Sequence, residues 1–227
     1  MVMLSGGLDS AVNLKRAVDE VGVALALTFD YGQRAAEREH AAAALMCRQL
    51  GVAHRSLDLP WLGEVCRSAL VDRGTAIPQL TLAQLEGPEV TGGATARAVW
   101  VPNRNGVFAN VAAAFAESLG AQLVVAGFNR EEAATFPDNS TEFVTAINES
   151  LGLSTLTKVN LVSYTLGMGK AEIVGLGRQI GAPLTCIWSC YQGGAEHCWG
   201  CESCRRLERA LKEADAWEWF HTNRMIP

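Results

Sequence analysis

Two groups of residues have types and spacings suited to chemistry. The first is Ser5-Gly6-Gly7-Leu8-Asp9-Ser10, which follows the short apolar run Met1 to Leu4 and opens into Ala11-Val12-Asn13-Leu14-Lys15. This reads as strand, glycine turn and helix. Adjacent glycines let backbone N–H groups approach a ligand with no Cβ in the way. A helix starting directly behind them aims unpaired N–H groups and the positive end of its dipole at the same spot. Ser5 and Ser10 add hydroxyl donors. Such a site suits an anion, and a phosphate chain above all. It lacks the Gly-Lys-Ser/Thr ending of a Walker loop and the G-x-G-x-x-G of a dinucleotide site. For a bare S-G-G, an ordinary turn with a serine cap is the competing reading. The second group is Cys190, Cys198, Cys201 and Cys204, spaced C-x7-C-x2-C-x2-C. A C-x2-C step lets two thiolates grip one ion from a tight turn, and four close a tetrahedral zinc shell with no open position for water. The role read here is structural: the metal pins a helix, Glu202 to Ala214, against the sheet edge. A disulfide pair, an iron–sulfur cluster and replacement of one thiolate by His197 are the alternatives. The C-x3-C-P that accompanies bacterial cluster motifs is missing. Cys47 and Cys66 read as packing residues, and Cys186 lacks the paired spacing.

The other elements must bring these groups into place. Helix one is predicted from about Asp9 to Val21, with Gly22 just past its end. Val23 to Phe29 is a continuous apolar run, as a parallel strand covered on both faces requires. It ends in Asp30-Tyr31-Gly32-Gln33, polar groups at the sheet edge where α/β ligands bind. A helix from Glu37 to Leu50 and a strand within Ala53 to Leu59 follow. Trp61 to Ser68 reads as a short helix. Leu70 to Ala96 reads as a long loop with little regular structure, of the kind that often serves as a lid. After Asn103-Arg104-Asn105, Phe108, Val111, Ala112, Phe115 and Leu119 share one helical face. Leu123 to Ala126 is the next strand, ending in Gly127-Phe128-Asn129-Arg130-Glu131-Glu132. Asn139 with Glu142 suits a capping box for a helix reaching about Ser150. A strand from Val159 to Ser163 and a helix from Lys170 to Ile180 complete the alternation, which predicts an α/β fold with a doubly wound parallel sheet.

The 227 residues suit one domain with a small appendage, and 49% hydrophobic content supports a full core. A net charge of -5 and a pI of about 5.4 argue against broad nucleic-acid binding. A local basic patch remains around Arg205, Arg206 and Arg209. No apolar run reaches the ~18 residues of a membrane span. The N-terminal run is too short for a signal peptide. The expected location is cytoplasmic, where four crowded cysteines among seven point to metal before disulfides.

The full S-G-G-x-D-S resembles the pyrophosphate-binding loop of the PP-loop ATP pyrophosphatases, which split ATP between its α- and β-phosphates. Further segments extend the likeness: Thr28-Phe29-Asp30-Tyr31-Gly32-Gln33-Arg34, Val101-Pro102-Asn103-Arg104-Asn105, Gly127-Phe128-Asn129 through Phe136-Pro137-Asp138, Gly169-Lys170-Ala171-Glu172, and Ser189-Cys190-Tyr191 with the later cysteines. Over nearly its whole length the chain resembles the 7-cyano-7-deazaguanine synthase family of queuosine-precursor synthesis. Many members have glycine where Asn103 and Trp199 stand. The resemblance implies a PP-loop domain over residues 1–185 and a four-cysteine zinc module over 186–227. It implies ATP, Mg2+ and Zn2+ as cofactors, 7-carboxy-7-deazaguanine and ammonia as substrates, no direct nucleic-acid partner, no membrane, and a homodimer. It places the nucleotide on Leu4, Ser5, Gly6, Gly7, Leu8, Asp9, Ser10, Ala11, Asn13, Phe29, Tyr31, Gln33 and Gly127. Asp9 is either a magnesium ligand or a helix N-terminal cap. Lys170 contacts phosphate or is a solvated first-turn lysine. Arg104 holds phosphate or the substrate carboxylate; Asp9, Lys170 and Arg104 form the catalytic set. Asn129, Glu131 or its neighbour Glu132, Phe136 and Asp138 are the further substrate candidates, with Tyr31 or Phe136 stacking on a purine ring or simply packing. A tRNA-modifying PP-loop enzyme of thiolation or lysidine type and a non-catalytic zinc-stabilised binding module are the other readings.

Overall fold

The computed structural model describes residues 1–86 and 93–225. The chain begins with strand β1 (Val2–Met3), helix α1 (Leu8–Glu20), β2 (Ala26–Asp30), α2 (Ala36–Leu50) and β3 (His54–Asp58). Short helices α3 (Pro60–Glu64) and α4 (Ala94–Val99) lead to α5 (Arg104–Ser118) and β4 (Leu123–Val125). Then come α6 (Arg130–Ala133), α7 (Thr141–Ser154), β5 (Asn160–Val162), α8 (Lys170–Gln179), α9 (Glu202–Glu213) and α10 (Trp217–Asn223). The five strands form one parallel sheet in the order β3-β2-β1-β4-β5. Val2 pairs with both Ala26 and Val125, so β1 sits at the centre. Alternate side chains of β1, β2 and β4 are buried on opposite faces. Val2, Leu4 and Ala26 pack with α1, α2 and α8; Met1, Met3, Leu27 and Phe29 pack with α5 and α7. This two-sided burial is why these central strands lie in apolar runs of sequence, whereas the edge strand β3, His54–Asp58, does not. The strand order reverses between β1 and β4, which opens a crevice at their carboxyl ends.

Several boundaries differ from expectation. The second strand starts at Ala26 and not Val23, because the chain needs Gly22, at φ 74°, and the residues after it to turn back from α1. Asn139 does not cap α7. It closes a one-turn 3-10 helix, and Ser140 is the cap, its Oγ accepting from the Phe143 N–H at 3.1 Å. Leu119 leaves the expected α5 face and is 52% exposed. The stripe of α5 that packs closest is alanine (109, 112, 113 and 116), whose small side chains bring helix and sheet together. The short helix after residue 60 ends at Glu64. The segment read as a long loop holds more structure than its composition suggests. Gln79 bridges to Cys201, Leu82–Glu86 is a 3-10 turn, and α4 starts at Ala94. Its residues 87–92 lie outside those described.

Candidate active site

The glycine turn after β1 lies at the crevice. Gly6 has φ 76°, and a Cβ there would stand 2.7 Å from the Glu39 carbonyl oxygen, so only glycine fits. The Trp188 N–H donates to the Gly6 carbonyl at 2.8 Å and ties the turn to the segment that leads into the cysteines. Gly7 is the N-cap of α1 and supplies no side-chain cap, so the first turn of the helix presents N–H groups to the crevice. Gly127, after β4, forms the opposite wall; a Cβ there would lie 2.8 Å from the Ser10 nitrogen. A cavity of about 210 Å³ opens between them.

Lys170 forms the charged wall of this cavity. It is buried, and its Nζ lies 2.8 Å from Asp9 Oδ2 and 2.7 Å from Glu132 Oε1. It is not a solvated lysine. Burial pushes the Asp9 carboxyl up, against the pull of Lys170. Burial also opposes ionisation of Glu132, but there Lys170, Arg206 and Arg104 prevail and hold the carboxyl below its usual range. The two carboxylates hold Lys170 above its ordinary value despite burial. Asp9 stands in the first turn of α1, where Gly7 is the N-cap. Its Oδ1 is buried without a hydrogen-bond partner, an orphaned oxygen that suits a cation.

Leu4, Ser5, Gly7, Leu8, Ser10, Phe29, Tyr31 and Gln33 also line the cavity. Phe29 stacks on Phe108 at 4.1 Å, and Gln33 bonds the Tyr31 N–H and the Phe29 carbonyl. Arg104 donates to the Tyr31 hydroxyl at 3.4 Å, and Tyr31 and Asp138 keep its guanidinium firmly charged although burial opposes it. Other expected contacts are not at the cavity. Ala11 is core. The buried Asn13 side chain ties α1 to the β5–α8 connection, bonding Thr165 and the Tyr164 N–H. Asn129 is the N-cap of α6, accepting from the Glu132 N–H. Glu131 faces away: it accepts from the Lys170 N–H and pairs with Arg209. Its neighbour Glu132 faces inward, because a one-residue step on a helix rotates the side chain by about 100°.

A second cavity, of about 50 Å³, adjoins the first. The two share Arg104, Glu132, Asn139, Tyr191 and Ser203, and the second adds Phe136 and Asp138. Trp100, Glu202 and Arg206 line it too, and sequence reasoning missed them. Glu202 and Arg206 stand four apart on α9, a spacing that signals an ion pair, and Glu202–Ser203 fills the last C-x2-C gap. No sequence signal marks Trp100.

The four sulfurs of Cys190, Cys198, Cys201 and Cys204 lie within 4.8 Å of one another and could hold a metal ion. Backbone N–H groups of Gln192 and Cys198 point at Cys190 Sγ, and those of Gly200 and Cys201 at Cys198 Sγ. His197 is not part of the set. Its Nε2 accepts from the Ser189 N–H, and its ring lies against Trp188 and Trp199. Asn103 (φ 53°) and Trp199 (φ 49°), where many members of the resembled family have glycine, both adopt the left-handed conformation. Asparagine tolerates it. The bulky Trp199 is held there by ring contacts to His197, Trp217 and His221.

Fold and site together define a class: a doubly wound α/β protein with a glycine turn at the switch point of its sheet and four gathered cysteines, between the last two of which Glu202 and Ser203 line the cavities. The family described as "Queuosine biosynthesis protein QueC" matches residues 1–215, and the chain belongs to it. A 7-cyano-7-deazaguanine synthase of Desulforudis audaxviator is 53% identical over 214 residues, covering 94% of this chain and 96% of its own. One of Pelotomaculum thermopropionicum matches with the same identity and coverage. Among solved structures, the U34-tRNA thiolase NcsA of Methanococcus maripaludis aligns over 97% of this chain and 70% of its own, at 13% identity and a TM-score of 0.47.

Proposed function

We propose that the protein converts 7-carboxy-7-deazaguanine and ammonia to 7-cyano-7-deazaguanine at the expense of ATP. Beyond family membership, the observation that carries this reading is one cavity in which the glycine turn faces Lys170, Asp9 and Arg104. A carboxylate is a poor electrophile and needs activation. Its oxygen attacks the α-phosphorus of ATP, and pyrophosphate leaves with the bonding pair. The α1 N–H groups and Lys170 stabilise charge on that leaving group. Arg104 orients the attacking carboxylate. Ammonia then attacks the acyl carbon, AMP leaves, a proton is lost, and the amide forms. A second activation at the amide oxygen, followed by loss of AMP and the remaining N–H protons, leaves the nitrile. Asp9 Oδ1 would hold the magnesium ion, which neutralises phosphate charge. The four cysteines would hold a structural zinc ion. We infer a cytoplasmic homodimer acting on a free base.

The test is incubation of the purified protein with ATP, magnesium, ammonium and 7-carboxy-7-deazaguanine, with products identified by mass. The expected products are the amide first, then the nitrile, with AMP and pyrophosphate. Added tRNA should leave the rate unchanged, and salt dependence should be shallow. AMP formation only with tRNA, and no conversion of the free base, would show the tRNA-modifying reading to be right instead.

A further inference from the structure

The second cavity contains a buried carboxylate only half satisfied. Glu202 is 3% exposed. Its Oε1 accepts from Arg206 Nε at 3.0 Å and Nη2 at 2.8 Å. Its Oε2 is buried without a hydrogen-bond partner. Leaving an anionic acceptor oxygen dry and unbonded is costly, and when it belongs to a residue that lines a cavity it calls for a donor from a ligand. Resting on the functional reading above, we propose that this cavity is the subsite for the six-membered ring of a guanine-type base, with Glu202 reading its donor edge.

The chemistry of that edge matches the wall. It presents a carbonyl oxygen, a ring N–H and an exocyclic amino group: acceptor, donor, donor. One carboxylate oxygen carries two lone pairs and can accept from the ring N–H and the amino group together. Arg206 stands beside it as a donor for the carbonyl, and it also fixes the Glu202 orientation. Bonds to a charged acceptor are the strong ones, so the pair would dominate recognition. An adenine-type edge puts an acceptor nitrogen where Glu202 needs a donor. The walls suit a flat ring. Trp100 and Phe136 stack on each other, 8° from parallel with centroids 6.0 Å apart, and so give the lining a flat aromatic surface against which a ring can lie. At about 50 Å³ the space takes the ring's edge and not the whole bicycle. The substituted five-membered ring then lies in the part shared with the nucleotide cavity, at Arg104, where the reacting carboxylate belongs.

The experiment is calorimetric titration of the zinc-loaded protein, with a non-hydrolysable ATP analogue present. The titrants are 7-carboxy-7-deazaguanine and its analogue lacking the 2-amino group. Wild type should bind the analogue about tenfold more weakly or worse. Glu202→Gln should lose about as much affinity for the parent acid and should no longer distinguish the two. Its affinity for the ATP analogue should not change. Glu202→Asp, which keeps the charge at shorter reach, should lose the same discrimination and covers the case in which the glutamine variant fails to fold. Equal binding of both acids by wild type overturns the subsite, as does full discrimination in either variant. A wild type that binds parent and analogue equally but converts the parent acid in the product assay with ATP leaves the functional reading standing and removes only the subsite. A wild type that neither binds nor converts the parent acid defeats the functional reading itself.

Discussion

Lys170 lies between two carboxylates that reach it from distant parts of the chain, Asp9 being 161 positions away. Its place at the start of a helix was readable; its burial was not, because burial depends on which loops close over it. The pairing predicts a particular defect in Lys170→Met. Removing the cation leaves Asp9 and Glu132 facing each other with little water, a loss of about 3–5 kcal/mol. The defect should shrink on acidification. Asp9 already holds its proton more tightly folded than unfolded, and without Lys170 it will do so more strongly. A carboxyl whose folded pKa is raised contributes stability at low pH and loses it as pH rises. Urea melts should therefore show a deficit that is larger at about pH 8 than at about pH 5. A deficit independent of pH would mean the triad is not electrostatically coupled. Glu131 teaches a related lesson. The Glu131-Glu132 pair marked the right place, but only the helix phase of α6 decided which of the two faces the cavity.

At the scale of elements, the turn between β1 and α1 was the most legible part, since two glycines beside an apolar run and a helix leave few other geometries. What the sequence did not reveal is why Gly6 itself must be glycine: the constraint is the Glu39 carbonyl of α2, a neighbour in space alone. Gly6→Ala should force the turn away from α2, through both a positive φ and a close backbone contact. ATP-dependent AMP formation should fall by about two orders of magnitude or more, as for other displaced catalytic groups. The far-UV circular dichroism should stay native. Near-normal turnover would show that the turn tolerates the shift. The segment from residue 70 to 96 is mostly turn and coil among its described residues, as its composition says, but its anchoring was not legible. Its threonines, prolines and glycines say loop, yet Leu80 N–H bonds the Gly200 carbonyl and Arg205 Nε bonds the Leu80 carbonyl. Tertiary contacts with the cysteine turns hold the stretch around Gln79 and Leu80, where local propensity gives no regular element.

Across the whole molecule one hydrophobic cluster runs from β1 and α1 through α8 to Cys190, Leu207 and Phe220. The cysteine turns and α9 are thus built onto the sheet's own core. Zinc content should be one ion per chain, and calorimetry should show a single unfolding transition for sheet and C-terminal segment together. Cys201→Ala should abolish metal retention, lower that transition, and weaken binding of the deazaguanine acid, because Glu202 and Ser203 sit inside the same turn. Two separated transitions, or normal substrate affinity in a metal-free variant, would show the segment to be an independent appendage. Sequence spacing alone picked out the four cysteines whose sulfurs the fold gathers. It did not disclose that residues between those cysteines line the cavities, because that depends on how α9 packs against α8.

Making a nitrile from an acid by two activations requires a second ATP to enter while the amide is held. Two adjoining cavities permit this division of labour. On the proposed reaction the amide would stay lodged by its ring in the smaller space while AMP and pyrophosphate leave the larger one and a fresh nucleotide arrives. The enzyme would then be processive, and the amide a committed intermediate and not a product that must be recaptured. A pulse of labelled acid chased with excess unlabelled amide tests this directly. Processive turnover delivers labelled nitrile undiluted by the chase, whereas release and rebinding would leave most of the label in free amide.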